Sequence, residues 1–235
     1  MTWIAYFVLS KCWFLLYYSD KTGDLDVLTI LKIFLQGLKL DASFAAYLSF
    51  LPFFIIAFSI WIPQYIYLRF IKVYTVVLIF AVNVLMFFDL ALYGPWGMRL
   101  DSTPLMFLNT PKEMFASVPF WSLIGAIGLW IISSTIYAYL FLKVITKFGR
   151  NIKDGNLLSI PVLLLLTGSL VIVLRGGLQT IPINQSNVYF SKNMFANHAA
   201  INFAWNFFQS VSHKGYETTN VYATIDVDKA NSLLE

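Results

Sequence analysis

LLSIPVLLLLTGSLVIVLRGGLQTIPINQSNVYFSKN, Leu157 to Asn193, is the stretch on which the fold turns. Its first 18 residues, Leu157 to Leu174, carry no charge. As a helix at about 1.5 Å per residue they reach roughly 27 Å, enough for a hydrocarbon core of ~30 Å. Arg175 ends the run. Gly176-Gly177 lets the chain turn away, and Pro182 keeps the next residues from continuing as a helix. The residues beyond are polar, with too little apolar content for a core of their own.

The rest of the chain agrees with a membrane reading. It has 235 residues, 59% hydrophobic, 18% aromatic and only 12% charged, with mean hydropathy +0.71. A soluble domain carries about 25% charged residues. The expected fold is therefore an all-α integral membrane protein. Its apolar runs are too long and continuous for alternating barrel strands. The net charge of +4 is read as a topology signal. No nucleic-acid partner is expected, because no Lys/Arg run lies on a polar face long enough to track phosphates. Cys12 is the single cysteine, so no internal disulfide exists. It reads as a packed or lipid-facing thiol. No basic region precedes the first apolar run and no small-x-small cleavage site comes after it, so that run is expected to stay in the mature chain. The lack of charge before Lys11 leaves open a start further upstream.

Five transmembrane helices are expected, at about 2–18, 44–62, 73–93, 118–142 and 157–174, making a domain of residues 1–175. Lys11 interrupts the first, at a cost of roughly 2.5–3.5 kcal/mol on insertion scales, which snorkelling reduces. Pro52 is expected to kink the second and Pro63 to end it. Arg69 and Lys72 come after the second span; Lys143, Lys147, Arg150 and Lys153, against Asp154, come after the fourth. These basic clusters place both loops and the N-terminus in the cytoplasm, and residues 176–235 outside it.

The external segments carry their own patterns. Asp26 to Lys39, DVLTILKIFLQGLK, has Val27, Leu28, Leu31, Phe34, Leu35 and Leu38 at helical spacing. It reads as an amphipathic interfacial helix; the alternative is an extension of the second span, interrupted at Gly37. After the third span, Gly94-Pro95 is expected to end the helix and Trp96 to sit at headgroup level. Thr110 and Pro111 read as a helix start before Glu113. Ser191 to Ser212 has Met194, Ile201, Trp205 and Phe208 at helical spacing, which reads as a helix lying against the membrane with Trp205 as its anchor. Asn220 to Val227 reads as a short strand.

No self-contained active site emerges. His198 and His213 are too far apart, and too far from cysteine, for zinc spacing. The sequence has no Gly-x-Ser-x-Gly elbow and no phosphate-cradling Gly-rich loop before a helix, and no carboxylate pair lies inside an apolar span. Asn184-Gln185-Ser186 matches a glycosylation acceptor, a tripeptide common by chance. The polar groups within spans are Lys11, Asn83, Ser133, Ser134 and Thr167. The hydroxyls, with Gly125 and Gly128, fit close helix packing better than an ion path. Asp89 reads as an interfacial carboxylate with Arg99 as a partner, while Arg99 and Asp101 also suit a solvated pair.

Three segments together resemble the N-terminal membrane region of the lipoteichoic acid synthase-like family, in the sulfatase/alkaline phosphatase superfamily. They are YYSDKTGDLDVLTILKIFLQGLKLDASFAAYL, Tyr17 to Leu48; YGPWGMRLDSTPLMFLNTPKEMFAS, Tyr93 to Ser117; and RGGLQTIPINQSNVYFSKNMFANHAAINFAWNFFQS, Arg175 to Ser210. The resemblance implies five membrane helices, a linker over 176–235, and then an extracytoplasmic sulfatase-like domain. That domain would hold a divalent metal (Mn, Mg or Zn) and the nucleophile. Its residues match no position here, so no catalytic or metal residue is assigned, and the chain reads as a fragment that stops before the domain. The implied parent is a bacterial cytoplasmic-membrane enzyme moving phosphoglycerol or a related phosphoester group from lipid, or hydrolysing phosphate or sulfate esters. Arg99, Asp101 and Arg175 are the candidates for contact with lipid headgroups; ordinary interfacial snorkelling is the alternative. The competing functions are a complete small membrane protein that binds a partner or lipid, and a transporter.

Overall fold

A computed structural model describes residues 2–109, 120–149, 157 and 159–214. Thr110, Pro111 and Glu113, the loop holding Arg150, Lys153 and Asp154, and the strand-like Asn220–Val227 lie outside the described residues. Among the described residues every regular element is helical. The helices are α1 (Thr2–Tyr17), α2 (Ser19–Gly23), α3 (Val27–Ala57), α4 (Gln64–Trp96), α5 (Phe120–Gly149), α6 (Ser159–Leu174), α7 (Met194–Ala200) and α8 (Phe203–Lys214). Short 3₁₀ turns lie at Thr103–Asn109 and Gln185–Val188. Three helices, Val27–Ala57, Gln64–Trp96 and Trp121–Gly149, are long and apolar enough to cross a membrane; Thr2–Tyr17 and Ser159–Leu174 are shorter apolar helices.

α1 buries Trp3, Tyr6, Phe7, Ser10, Lys11, Phe14 and Leu15, one stripe at steps of three and four. Its other face exposes Leu9, Trp13 and Leu16. Both faces are apolar, so polarity contrast does not reveal which one packs. α3 is a single helix through Asp26–Lys39 and the expected second span. The separate interfacial helix is therefore not formed, and Gly37 does not interrupt the helix. Gly37 is instead a point of close approach: a Cβ there would lie 2.5 Å from Lys11 Cε and 2.6 Å from the Ala200 carbonyl. Pro52 stays inside α3, which ends at Ala57.

α4 begins after Pro63 and runs through Gly94-Pro95 to Trp96. Gly97 ends it, at φ +68° with its N–H donated to the Tyr93 carbonyl, a left-handed stop that glycine adopts without a Cβ clash. α5 continues beyond the expected Leu142 to Gly149, so Lys143 and Lys147 lie in its final turns. Lys147, in the last turn, complements the negative end of the helix dipole. α6 ends where the sequence indicates. Gly177 N–H bonds to the Ile172 carbonyl and Gly176 N–H to the Val173 carbonyl.

α3 is the hub, packing on α1, α6, α7 and α8, while α4 packs on α5. Gln64 Nε2 donates to the Gly149 carbonyl (2.8 Å). This joins the start of α4 to the end of α5, so Arg69, Lys72, Lys143 and Lys147 gather at one end, the basic end. The opposite end is capped by α7 and α8. These two helices replace the single membrane-facing helix expected over 191–212. They are divided at Ile201-Asn202, where Asn202 Oδ1 accepts the Trp205 N–H (2.9 Å). Trp205 is only 4% exposed and Phe203, Ala204, Ala199 and Ala200 are buried, so Trp205 is a core residue and not an interfacial anchor. Phe195 stacks on Phe14 at 5.7 Å and Phe203 meets Phe7 edge-on at 6.2 Å. The polar face of the segment also points inward, because the bundle holds charges for it to meet.

Candidate functional site: two buried ion pairs under the C-terminal helices

Lys11 projects from the buried stripe of α1 and donates to Asp41 Oδ1 in mid-α3. Their side chains are 2% and 0% exposed. The missing side chain at Gly37 leaves room for the lysine. Asn202, at the start of α8, donates its Nδ2 to the same Asp41 oxygen (2.9 Å). Lys11 therefore does not snorkel, contrary to expectation: its partner is inside the protein, one helix away.

The second pair lies where α4 meets the chain after it. Asp89 Oδ1 accepts from Arg99 Nε (3.0 Å) and from the Leu100 N–H (2.9 Å), and Asp89 Oδ2 meets Arg99 NH2 at 2.9 Å. This is a two-point carboxylate–guanidinium contact. The guanidinium stands 4.0 Å over the Phe14 ring, a cation–π placement, and its NH1 donates to the His198 carbonyl (3.3 Å). Asn206 Nδ2 donates to the Leu100 carbonyl (2.9 Å), and Asn206 Oδ1 accepts from Gln185. Ser102 N–H donates to Ser210 Oγ (3.1 Å). The Tyr93 hydroxyl and His198 Nδ1 are 3.2 Å apart. Burial pushes the His198 imidazole below its ordinary range, and the nearby Arg99 guanidinium pushes it further.

Asn202 bonds to Asp41 of the first pair, the His198 carbonyl accepts from Arg99 of the second, and Asn206 donates to the backbone beside it. Polar residues of 194–214 thus join two ionic networks that the helical bundle begins, while Asp41 Oδ2 stays buried with no hydrogen-bond partner. Chemically the arrangement is a joint, in which most donors and acceptors face one another. Among the described residues, no group of three His, Cys, Asp or Glu side chains is placed to hold a metal.

The residues singled out in the sequence separate. Arg99, 4% exposed, turns to Asp89 and not to Asp101, so the solvated Arg99–Asp101 pair is not formed. A lipid phosphate reaching Arg99 would have to compete with Asp89. Asp101 accepts from Thr103 N–H (2.8 Å) and from Thr103 Oγ1 (3.0 Å), opening the 3₁₀ turn. Arg175 is on the surface and donates through NH2 to the carbonyls of Gln179 (3.2 Å) and Thr180 (3.1 Å). Asn83 is buried and accepts from Tyr6 (3.1 Å) while donating to Ser133 (2.9 Å) and Ser134 (2.8 Å). Gly125 and Gly128 do not mediate close packing: a Cβ on either would meet nothing within 4 Å.

Asp41, Gly37, Asn202 and Asn206 were not singled out for these roles. A signal for the first existed: Asp41 is the sole acidic residue between Val27 and Phe88, the natural complement to a lysine inside an apolar helix. No known protein family, curated protein or solved structure matches this chain.

Proposed function

We propose that this chain is a membrane anchor with a rigid exit. Five helices (α1, α3, α4, α5 and α6) cross the bilayer, and α7–α8 lock the rest of the chain to their far end. The observation that carries this reading is the burial of Ala199 to Asn206, with Asn202 bonded to Asp41 and the His198 carbonyl to Arg99. A loose tether would not bury its asparagines over ion pairs. The cations of the basic end support a cytoplasmic placement for that end, with the capped end outside.

The resemblance to lipoteichoic acid synthase-like proteins supports the next step. In this reading the anchor holds a metal-dependent sulfatase-like domain close to lipid headgroups in a bacterial cytoplasmic membrane. That enzyme transfers phosphoglycerol or a related phosphoester group, or hydrolyses phosphate or sulfate esters. A fixed exit keeps the domain near its lipid substrate and raises the effective concentration of that substrate. The test is to read the intact gene beyond codon 235. The expected result is an open frame encoding an α/β domain with clustered metal ligands. A stop codon directly after Glu235 would overturn the enzyme reading and favour a small partner- or lipid-binding membrane protein.

A further inference from the structure

Ser43 Oγ donates to the Leu174 carbonyl (2.7 Å), so α6 ends beside Ser43. Above that level come the Lys11–Asp41 pair and then the contacts of Phe14 and Tyr18 with Tyr93, at 4.8 and 5.1 Å between centroids. From Ser43 to Tyr93 the bundle rises by about seven residues of α1, roughly 10 Å. α6 therefore stops short of its neighbours at the capped end. The charge-free part of α5, Trp121 to Leu142, is about 33 Å long, close to the ~30 Å of a hydrocarbon core. α6, with 16 residues, covers only about 24 Å.

Beyond its end, the turn from Gly176 to Pro182 points apolar side chains outward: Leu178 is 87% exposed and Ile181 70%. Above Ser43, on successive turns of one face of α3, stand Lys39, Leu35, Leu31 and Leu28. The three leucines are exposed. This surface continues the exposed apolar face of α6, formed by Leu165, Val171 and Ile172. The turn is closed in part. Ile183 N–H bonds to the Arg175 carbonyl, Pro182 has no N–H to satisfy, and Arg175 caps two carbonyls of the turn. The N–H groups of Leu178, Gln179, Thr180 and Ile181 have no partner among the described residues, and irregular backbone does not face acyl chains, so the backbone of the turn belongs at headgroup level.

We propose that Leu178 and Ile181 insert among the acyl chains of the outer leaflet while the backbone of the Arg175–Ile183 turn stays at headgroup level. The turn is then a lipid-contacting wedge, and Arg175 is its internal cap. Lys39, one turn above Ser43, donates to the Asn187 carbonyl (3.2 Å), which puts a charge beside the turn at headgroup height. The inference rests on the reading of the bundle as membrane-spanning.

Single-site spin labels test it in a Cys12→Ser background, with the protein in phospholipid vesicles. Labels go at Leu178→Cys and Ile181→Cys, both exposed side chains, with Leu129→Cys as a mid-span reference and Lys192→Cys as an aqueous one. Collision with oxygen should exceed collision with a water-soluble nickel chelate at 178 and 181, as at 129. Nickel access at 178 and 181 equal to that at 192, with 129 still protected, would overturn the wedge. Nickel access at 129 as well would instead overturn the membrane reading beneath it.

Discussion

Lys11 and Asp41 depend on each other. Two charges in a low-dielectric interior are tolerated because each meets the other, and removing one leaves the second buried and uncompensated, typically at about 3–5 kcal/mol. Asp41→Ala should therefore lower the midpoint of thermal unfolding in detergent sharply. The double change Lys11→Met/Asp41→Leu should recover most of the loss, because no unpaired charge remains. Equal losses in the single and double variants would contradict this. His198 acts differently. Its folded pKa lies below the unfolded value of about 6.5, so the native state binds fewer protons than the unfolded one. Its contribution is complete above that value and declines as pH falls through and below it. Unfolding midpoints should drop between neutral pH and about pH 5.5, and the drop should shrink in His198→Asn. An unchanged slope in that variant would remove His198 as the cause.

At the scale of elements, the apolar runs were legible. Charge-free length alone locates α4, α5 and α6, and Gly176-Gly177 marks the end of α6. The boundaries that moved did so for physical reasons. Pro95 sits in the last turn of α4, and Gly97, not Gly94, stops the helix. Asp26–Lys39 has the alternation of an interfacial helix, yet it is the upper part of α3. Its leucines face outward, while Ile33, Gly37, Leu40 and Asp41 face α1 and the cap. Ser191–Ser212 shows the limit most clearly. Its asparagines look like the wet face of an amphipathic helix, and only the positions of Asp41 and Arg99, distant in sequence, reveal that this face is internal. Gly37 reports that closeness directly. Gly37→Ala should push α3 away from Lys11 and from the Ala200 carbonyl, costing about 1–3 kcal/mol as overpacked sites do. A melting temperature equal to that of the parent would show that the approach is slack.

For the whole molecule, the bundle helices and the C-terminal helices share one core. Phe7 and Phe14 of α1 and Phe44 of α3 pack on Phe203, Phe195 and Phe208 of the cap. Both ion pairs lie between the two layers. The cap therefore opens only by uncovering charges and aromatic surface together, which makes it part of the cooperative unit. The direct measurement is amide hydrogen exchange on the full chain in lipid nanodiscs, tracked over Phe195 to Asn206. A locked exit predicts protection there as slow as in the middle of α3. Exchange within seconds, at the rate of an unstructured linker, would contradict it.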